Sequence, residues 1–312
     1  MTRASPPAGG TGTTRRTAHG AAASVRSAIA RTAATAGRAL ARRPPAGALL
    51  QGTFCTLVFA FLVAPILVII PLSFNAEPYF TFTEGMLRLD PEAWSLRWYR
   101  QIVEDDTWAR ALANSLFIGV AATALATGLG TLAALGLSNP AMPLRRAVTG
   151  LLISPMVTPL IIAAAGMFFF YSTVGLTQSH LGLILAHAAL GTPFVVITVT
   201  ATLSTFDVNL TRAAASLGAS PLLVFRRIQL PLIAPGVVSG ALFAFATSFD
   251  EVVVVLFMAG TNQRTIPRQM WTGVREQISP AILAVATFLI VFAVLLLATV
   301  AWLRGRAGDG ER

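Results

Sequence analysis

The sequence contains no lysine; all 23 basic residues are arginine. That absence excludes two chemistries, because a phosphate-cradling P-loop needs Gly-Lys-Ser/Thr and a Schiff-base enzyme needs an amine. The chain by itself therefore neither hydrolyses ATP through a P-loop nor carries pyridoxal phosphate, and no cofactor is expected. Cysteine is almost missing as well: Cys55 stands alone, so no intrachain disulfide framework exists. Gly-x-Ser-x-Gly and His-Glu-x-x-His motifs are absent, which argues against an intramembrane enzyme. Charge is scarce, at 12% of 312 residues against 55% hydrophobic, with a mean hydropathy of +0.70. Too little polar surface remains to cover a soluble domain, so the chain reads as an all-α, polytopic membrane protein.

What is present is long apolar runs. Residues 53–72 reach ~30 Å at ~1.5 Å per residue, the thickness of the hydrocarbon core. This run is too long for a cleavable signal region and is expected to be retained. Further spans are expected over 111–137, 147–171, 181–203, 234–258 and 281–303, making six transmembrane helices. Pro155, Pro159 and Pro193 should kink the third and fourth of these, which places them inside a bundle where neighbours satisfy the freed carbonyls. Gly236 and Gly240 form a small-xxx-small pattern that suits a close helix contact.

The net charge of +10 is unevenly spread. Residues 1–46 carry Arg3, Arg15, Arg16, Arg26, Arg31, Arg38, Arg42 and Arg43 without an acid, among Ala, Gly, Pro, Ser and Thr. This is expected to be a disordered, cytoplasmic, topology-setting tail, although its composition also suits a transit peptide or a helix lying on an anionic leaflet. Arg145, Arg146, Arg212, Arg226, Arg227, Arg304, Arg306 and Arg312 join it on one side. Arg88, Arg97, Arg100, Arg110, Arg264, Arg268 and Arg275 fall on the other, beside the acids Glu77, Glu84, Asp90, Glu92, Glu104, Asp105 and Asp106. Positive-inside orientation then places both termini in the cytoplasm. The expected plan is a tail over 1–46, a first helix and extracytoplasmic loop over 47–110, a core over 111–303 and a second tail over 304–312.

Residues 204–232 are too polar to sit in the membrane and too patterned for a plain loop. Asp207 suits an N-cap, Gly218 a left-handed C′ position, and Ser220-Pro221 the N-cap and N1 of a second short helix over 222–229 that Pro231 ends. Such an elbow can dock in a partner's groove through Leu222, Val224 and Phe225, with Arg226 and Arg227 at an acidic rim.

Ala213-Ala214, Gly218 and Ile228-Gln229-Leu230-Pro231 match the spacing Glu-Ala-Ala-x3-Gly-x9-Ile-x-Leu-Pro, and on these residues the chain resembles the inner-membrane permease subunits of ABC importers. Arg212 stands where that family has Glu. The resemblance implies a type I importer permease fold in the bacterial cytoplasmic membrane and a coupling helix that enters a separate ATPase. It also implies a second permease, homologous or identical, and an extracytoplasmic solute-binding protein. Its coupling residues would be Arg212, Ala213, Ala214, Gly218, Phe225, Arg226, Ile228, Leu230 and Pro231. Ser95-Leu96-Arg97-Trp98-Tyr99, Asn114-Ser115, Ser248-Phe249-Asp250-Glu251 and Pro267-Arg268-Gln269-Met270-Trp271 resemble the spermidine/putrescine branch, with permeases for phosphonates, ferric ions and opines similar over the same stretches.

Asp250 and Glu251 are the only acids in an expected span, and an ionisable residue there is functional by default. With Ser248 and Phe249 they form the candidate substrate path for an ammonium-bearing solute; pairing with Arg264 or Arg268 is the structural alternative. Phe168, Phe169, Phe170, Tyr171, Phe243 and Phe245 suit lipid or packing contacts better than a cation box, and Trp94, Trp98 and Trp108 suit the outer interface. His180 and His187 share a helix face without a third ligand, which does not suit a metal site. A self-contained secondary transporter is the competing class, made less attractive by the lack of an internal repeat.

Overall fold

The computed structural model describes residues 46–276 and 280–309. The expected N-terminal tail and Arg312 lie outside them, as do the side chains of Arg304 and Arg306. Two units divide at residues 67 and 68. The first holds most of α1 (Ala46–Leu72), a helix of 27 residues that is apolar on every side, the pattern of a helix surrounded by hydrocarbon.

The second unit opens with an ordered loop. Asn75 is fully buried and organises it: Nδ2 donates to the Tyr79 and Thr81 carbonyls at 3.1 Å each, and the Asn75 carbonyl accepts from the Trp98 indole at 2.8 Å. The loop carries α2 (Glu84–Leu87), a 3₁₀ turn (Pro91–Ala93) and α3 (Arg97–Glu104). Trp98 and Trp108 are buried packing anchors, so of the three tryptophans expected at an interface only Trp94 has a substantially exposed ring.

The core is a three-helix layer of α4 (Asp106–Ser138), α7 (His180–Ser204) and α10 (Leu230–Asp250). Ala122, Ala126, Ala134, Ala188, Val195, Val199, Ile233 and Ala244 make its centre. Small side chains let the backbones approach closely, the usual source of packing energy where hydrocarbon surrounds the helices. A Cβ on Gly240 would lie 2.8 Å from the Val195 Cα, and one on Gly236 would collide with Thr202. The small-xxx-small face expected at these glycines is a true contact with α7.

Helix directions follow from side-chain pairings. Near their starts, α4 and α7 are joined by Asn114 and His180; further along, Gly130 lies against Val195. They run parallel. Helix α10 is antiparallel to α7, because Ser248 near its end meets His187 near the start of α7.

Three expected spans are built differently. Residues 147–171 do not form one kinked helix: α5 (Arg145–Val157) and α6 (Leu160–Thr173) meet at 106°. Pro159 directly after Thr158 disfavours the helical conformation at 158, which is extended (ψ 131°), and removes a backbone donor, so the chain turns instead of bending. Pro193, by contrast, sits buried inside an unbroken α7. The span expected over 234–258 stops at Asp250 and restarts as α11 (Val253–Met258). Pro231 ends nothing: α8 (Val208–Ser216) leads to α9 (Pro221–Val224), which passes through a π-helical turn (Phe225–Gln229) straight into α10. A wide i→i+5 turn, with the Leu230 N–H bonded to the Phe225 carbonyl, shifts the carbonyls that the ring of Pro231 would meet. After α11 come α12 (Ile266–Glu276) and α13 (Ala281–Asp309).

Candidate functional site

At the end of the bundle where α4 and α7 begin, two helix breaks meet. Leu160, just past the α5–α6 corner, and Val252–Val253, at the α10–α11 break, line one cavity of about 470 Å³ together with Ala246, Thr247, Asp250 and Glu251. Broken helices at membrane depth are tolerated where the loosened backbone lines a cavity.

The four consecutive candidates Ser248 to Glu251 have four different environments: the first three follow the ~100° step of a helix, and Glu251 is the extended residue just past the end of α10. Ser248 is buried and shares a hydrogen bond with His187, Oγ to Nδ1, at 2.8 Å. Phe249 stacks between Phe245 and Phe292, with centroids 5.5 and 5.9 Å away. Asp250 is exposed on the cavity wall, and among the described residues its carboxylate meets no hydrogen-bond donor and no arginine. Glu251 is 7% exposed and accepts a hydrogen bond from the Val254 N–H at 2.9 Å.

The pairing with Arg264 or Arg268 is not observed. Arg268 instead donates to the carbonyls of Ala259 at 2.5 Å, Val255 at 3.3 Å and Gly260 at 3.4 Å. Burial, with the neighbouring Arg264 adding repulsion, pushes the Arg268 guanidinium below its ordinary range. Sequence reasoning missed Arg268 as an organising residue. The signal that was available is its place one helical turn past Arg264 after a short apolar helix.

Aromatics divide by burial. Phe168 and Tyr171 pack on the cluster formed by Ile118, Leu183, Val254, Val255 and Met258, whereas Phe169, Phe170 and Phe243 are exposed. His180 is tied to Asn114, whose amide also donates to the carbonyls of Asn262 at 2.8 Å and Arg264 at 3.0 Å. The histidines thus serve helix–helix and helix–loop contacts.

The opposite end of the bundle carries the elbow. Asp207 accepts from the Asn209 N–H at 2.9 Å and Ser220 from the Leu223 N–H at 3.4 Å, while Gly218 has φ +80°. The Ala219 N–H reaches the Ala214 carbonyl at 3.1 Å and the Gly218 N–H that of Ala215 at 3.0 Å, closing α8 through a left-handed cap. Arg212, Ala213, Gly218, Arg226, Leu230 and Pro231 are exposed; Ala214, Phe225 and Ile228 are half-buried. Val224 is buried against its own chain and is not free to anchor a partner; Leu217, Leu222 and Leu223 are among the exposed apolar side chains of the elbow.

Comparison with known proteins gives one answer. Residues 126–308 match the family model "Binding-protein-dependent transport system inner membrane component". The chain is 33% identical over 247 residues to the spermidine/putrescine transport system permease protein PotC of Haemophilus influenzae, covering 79% of this chain and 93% of that one. It is also 33% identical to the putrescine transport system permease protein PotI of Escherichia coli K12, over 78% of this chain and 86% of the relative. A chain from the crystal structure of a bacterial ABC transporter involved in the import of the acidic polysaccharide alginate superposes with a TM-score of 0.63 at 14% identity, covering 82% of this chain and 95% of its own. That likeness shows the fold. With a matched segment longer than half its length and relatives above 30% identity across most of it, this chain belongs to the binding-protein-dependent transport system inner membrane component family, the permeases of ABC importers.

Proposed function

We propose that the protein is the permease of a polyamine importer, a transport subunit whose ATP is hydrolysed by a separate ATPase docked on the 204–232 elbow. Its other partners are a second permease and an extracytoplasmic binding protein, and its place is the bacterial cytoplasmic membrane with both termini inside. Asp250 carries the cargo assignment: an unpaired carboxylate in a cavity between two helix breaks is what an ammonium group needs, and the named cargoes of PotC and PotI are polyamines.

Six crossings fit this reading. Helices α4 and α7 are parallel, so the bent pair α5–α6 returns the chain across the layer once. With α1, α4, α7, α10 and α13 that makes six. The arginine distribution then puts the elbow in the cytoplasm.

The elbow meets its ATPase through Arg212, Ala213, Ala214, Gly218, Phe225, Arg226, Ile228, Leu230 and Pro231. Its charged groups beyond the Asp207 cap are arginines, so the receiving groove is acidic.

The test is copurification and transport. The tagged protein should recruit an ATPase subunit, and proteoliposomes of the assembly should take up labelled spermidine or putrescine only with trapped ATP. Gly218→Val forces a side chain into the left-handed region, at about 1–2 kcal/mol, and should uncouple hydrolysis from uptake. Uptake driven by a proton or sodium gradient in liposomes holding this chain alone would refute the proposal.

A further inference from the structure

Helix α11 is only six residues long, yet Val254, Val255 and Met258 are almost wholly buried in the cluster that α6 and α7 complete. A helix this short has no cooperative stability of its own. Its N–H groups and its carbonyls are nearly all helix-end groups that need partners. Two charged side chains supply them. Glu251 takes the Val254 N–H at the start, and Arg268, reaching over from α12, takes the carbonyls of Val255, Ala259 and Gly260 at the finish. Each has the sign that the helix dipole favours at its end. The Gln178 N–H adds a third tie, to the Met258 carbonyl at 2.8 Å.

We infer that Glu251 and Arg268 form a two-ended clamp that fixes α11 as one wall of the cavity, and that Glu251 is a positioning residue while Asp250 alone contacts the cation. This rests on the importer reading above and divides its acidic pair between two tasks. Both acids border the cavity, but Glu251 is almost wholly buried with its carboxylate committed to a backbone N–H, whereas Asp250, one residue earlier, is exposed with no partner among the described residues. The clamp also explains how the chain can stop α10 at Asp250 and still hold a rigid rim: the break is bridged by charge at both ends of α11.

Glutamine keeps an oxygen for the Val254 N–H and removes only the charge, so it separates the two roles. In proteoliposomes, Asp250→Asn should raise the KM for putrescine by about tenfold or more, the loss of one charge-assisted hydrogen bond. Glu251→Gln should leave that KM within about twofold, and Arg268→Gln, which touches no cargo, should lower the maximal rate with KM unchanged. A second measurement needs no transport. With Cys55→Ser as background, a charged methanethiosulfonate should label the D250C variant and spare V254C, on the buried face of α11 with both clamp side chains intact. Equal labelling of the two, or a KM rise in Glu251→Gln matching that of Asp250→Asn, would overturn the clamp. If Asp250→Asn leaves KM unchanged while the labelling contrast holds, the clamp stands and the cationic-cargo reading is what fails.

Discussion

Gly240→Ala sets two opposing effects against each other at one position. Replacing a mid-helix glycine with alanine gains about 0.5–1 kcal/mol of backbone entropy and propensity. At Gly240 the new methyl would stand 2.8 Å from the Val195 Cα and 2.5 Å from the Thr198 Oγ1. The nearest atoms include backbone in the middle of α7, which no rotamer change moves away. Overpacking of this kind costs about 1–3 kcal/mol, so the net effect is destabilising, by about 1 kcal/mol at the midpoints and up to about 2.5 kcal/mol. Gly128→Ala is the control. Nothing lies within 4 Å of a Cβ there, and only the favourable effect survives. Unfolding of the purified subunit by SDS titration in mixed micelles, followed by tryptophan fluorescence, should show the two substitutions moving the midpoint in opposite directions. If Gly240→Ala matched or exceeded the wild type, α7 and α10 would not be in the close contact described, and the packing argument would be wrong.

Two further expectations follow from the same geometry. Asn114→Ala removes the side chain that bonds the Asn262 and Arg264 carbonyls and meets His180; it should free the 259–265 loop, seen as faster amide exchange there with the elbow unchanged, and unaltered exchange would count against this tie. Arg212→Glu inverts a charge on the exposed face of α8, so ATPase recruitment by the purified permease should weaken and its salt dependence should fall; stronger recruitment would mean that the receiving groove is basic.

Much of this architecture was legible from composition and periodicity. The caps at Asp207 and Ser220 and the left-handed Gly218 were readable because each depends on one residue's local chemistry. The corner at Pro159 and the break after Asp250 were not, because an apolar run looks the same whether it crosses as one helix or turns on itself. Pro193 shows the converse: its neighbours satisfy the backbone and α7 continues. Pro231 misled for a third reason, since the π turn that accommodates it has no residue signature in Phe225–Gln229. At the candidate site, the acids announced themselves by being charged within an apolar stretch. Their separate environments depend on Val254 and on Arg268, 17 residues further on, and no single-chain pattern records that a guanidinium folds back onto three carbonyls.

The π turn also has a mechanical meaning. Because it carries the chain from Pro221 to Asp250 without a loop, those 30 residues form one continuous helical stretch of ~45 Å. The elbow is one end of this lever and the free carboxylate of Asp250 is the other. Gly236 and Gly240, seated on Val195, Thr198 and Thr202, make the fulcrum. No loop separates the elbow from the acid, so the continuity of one helix, with Pro235 inside it, is what links the two ends.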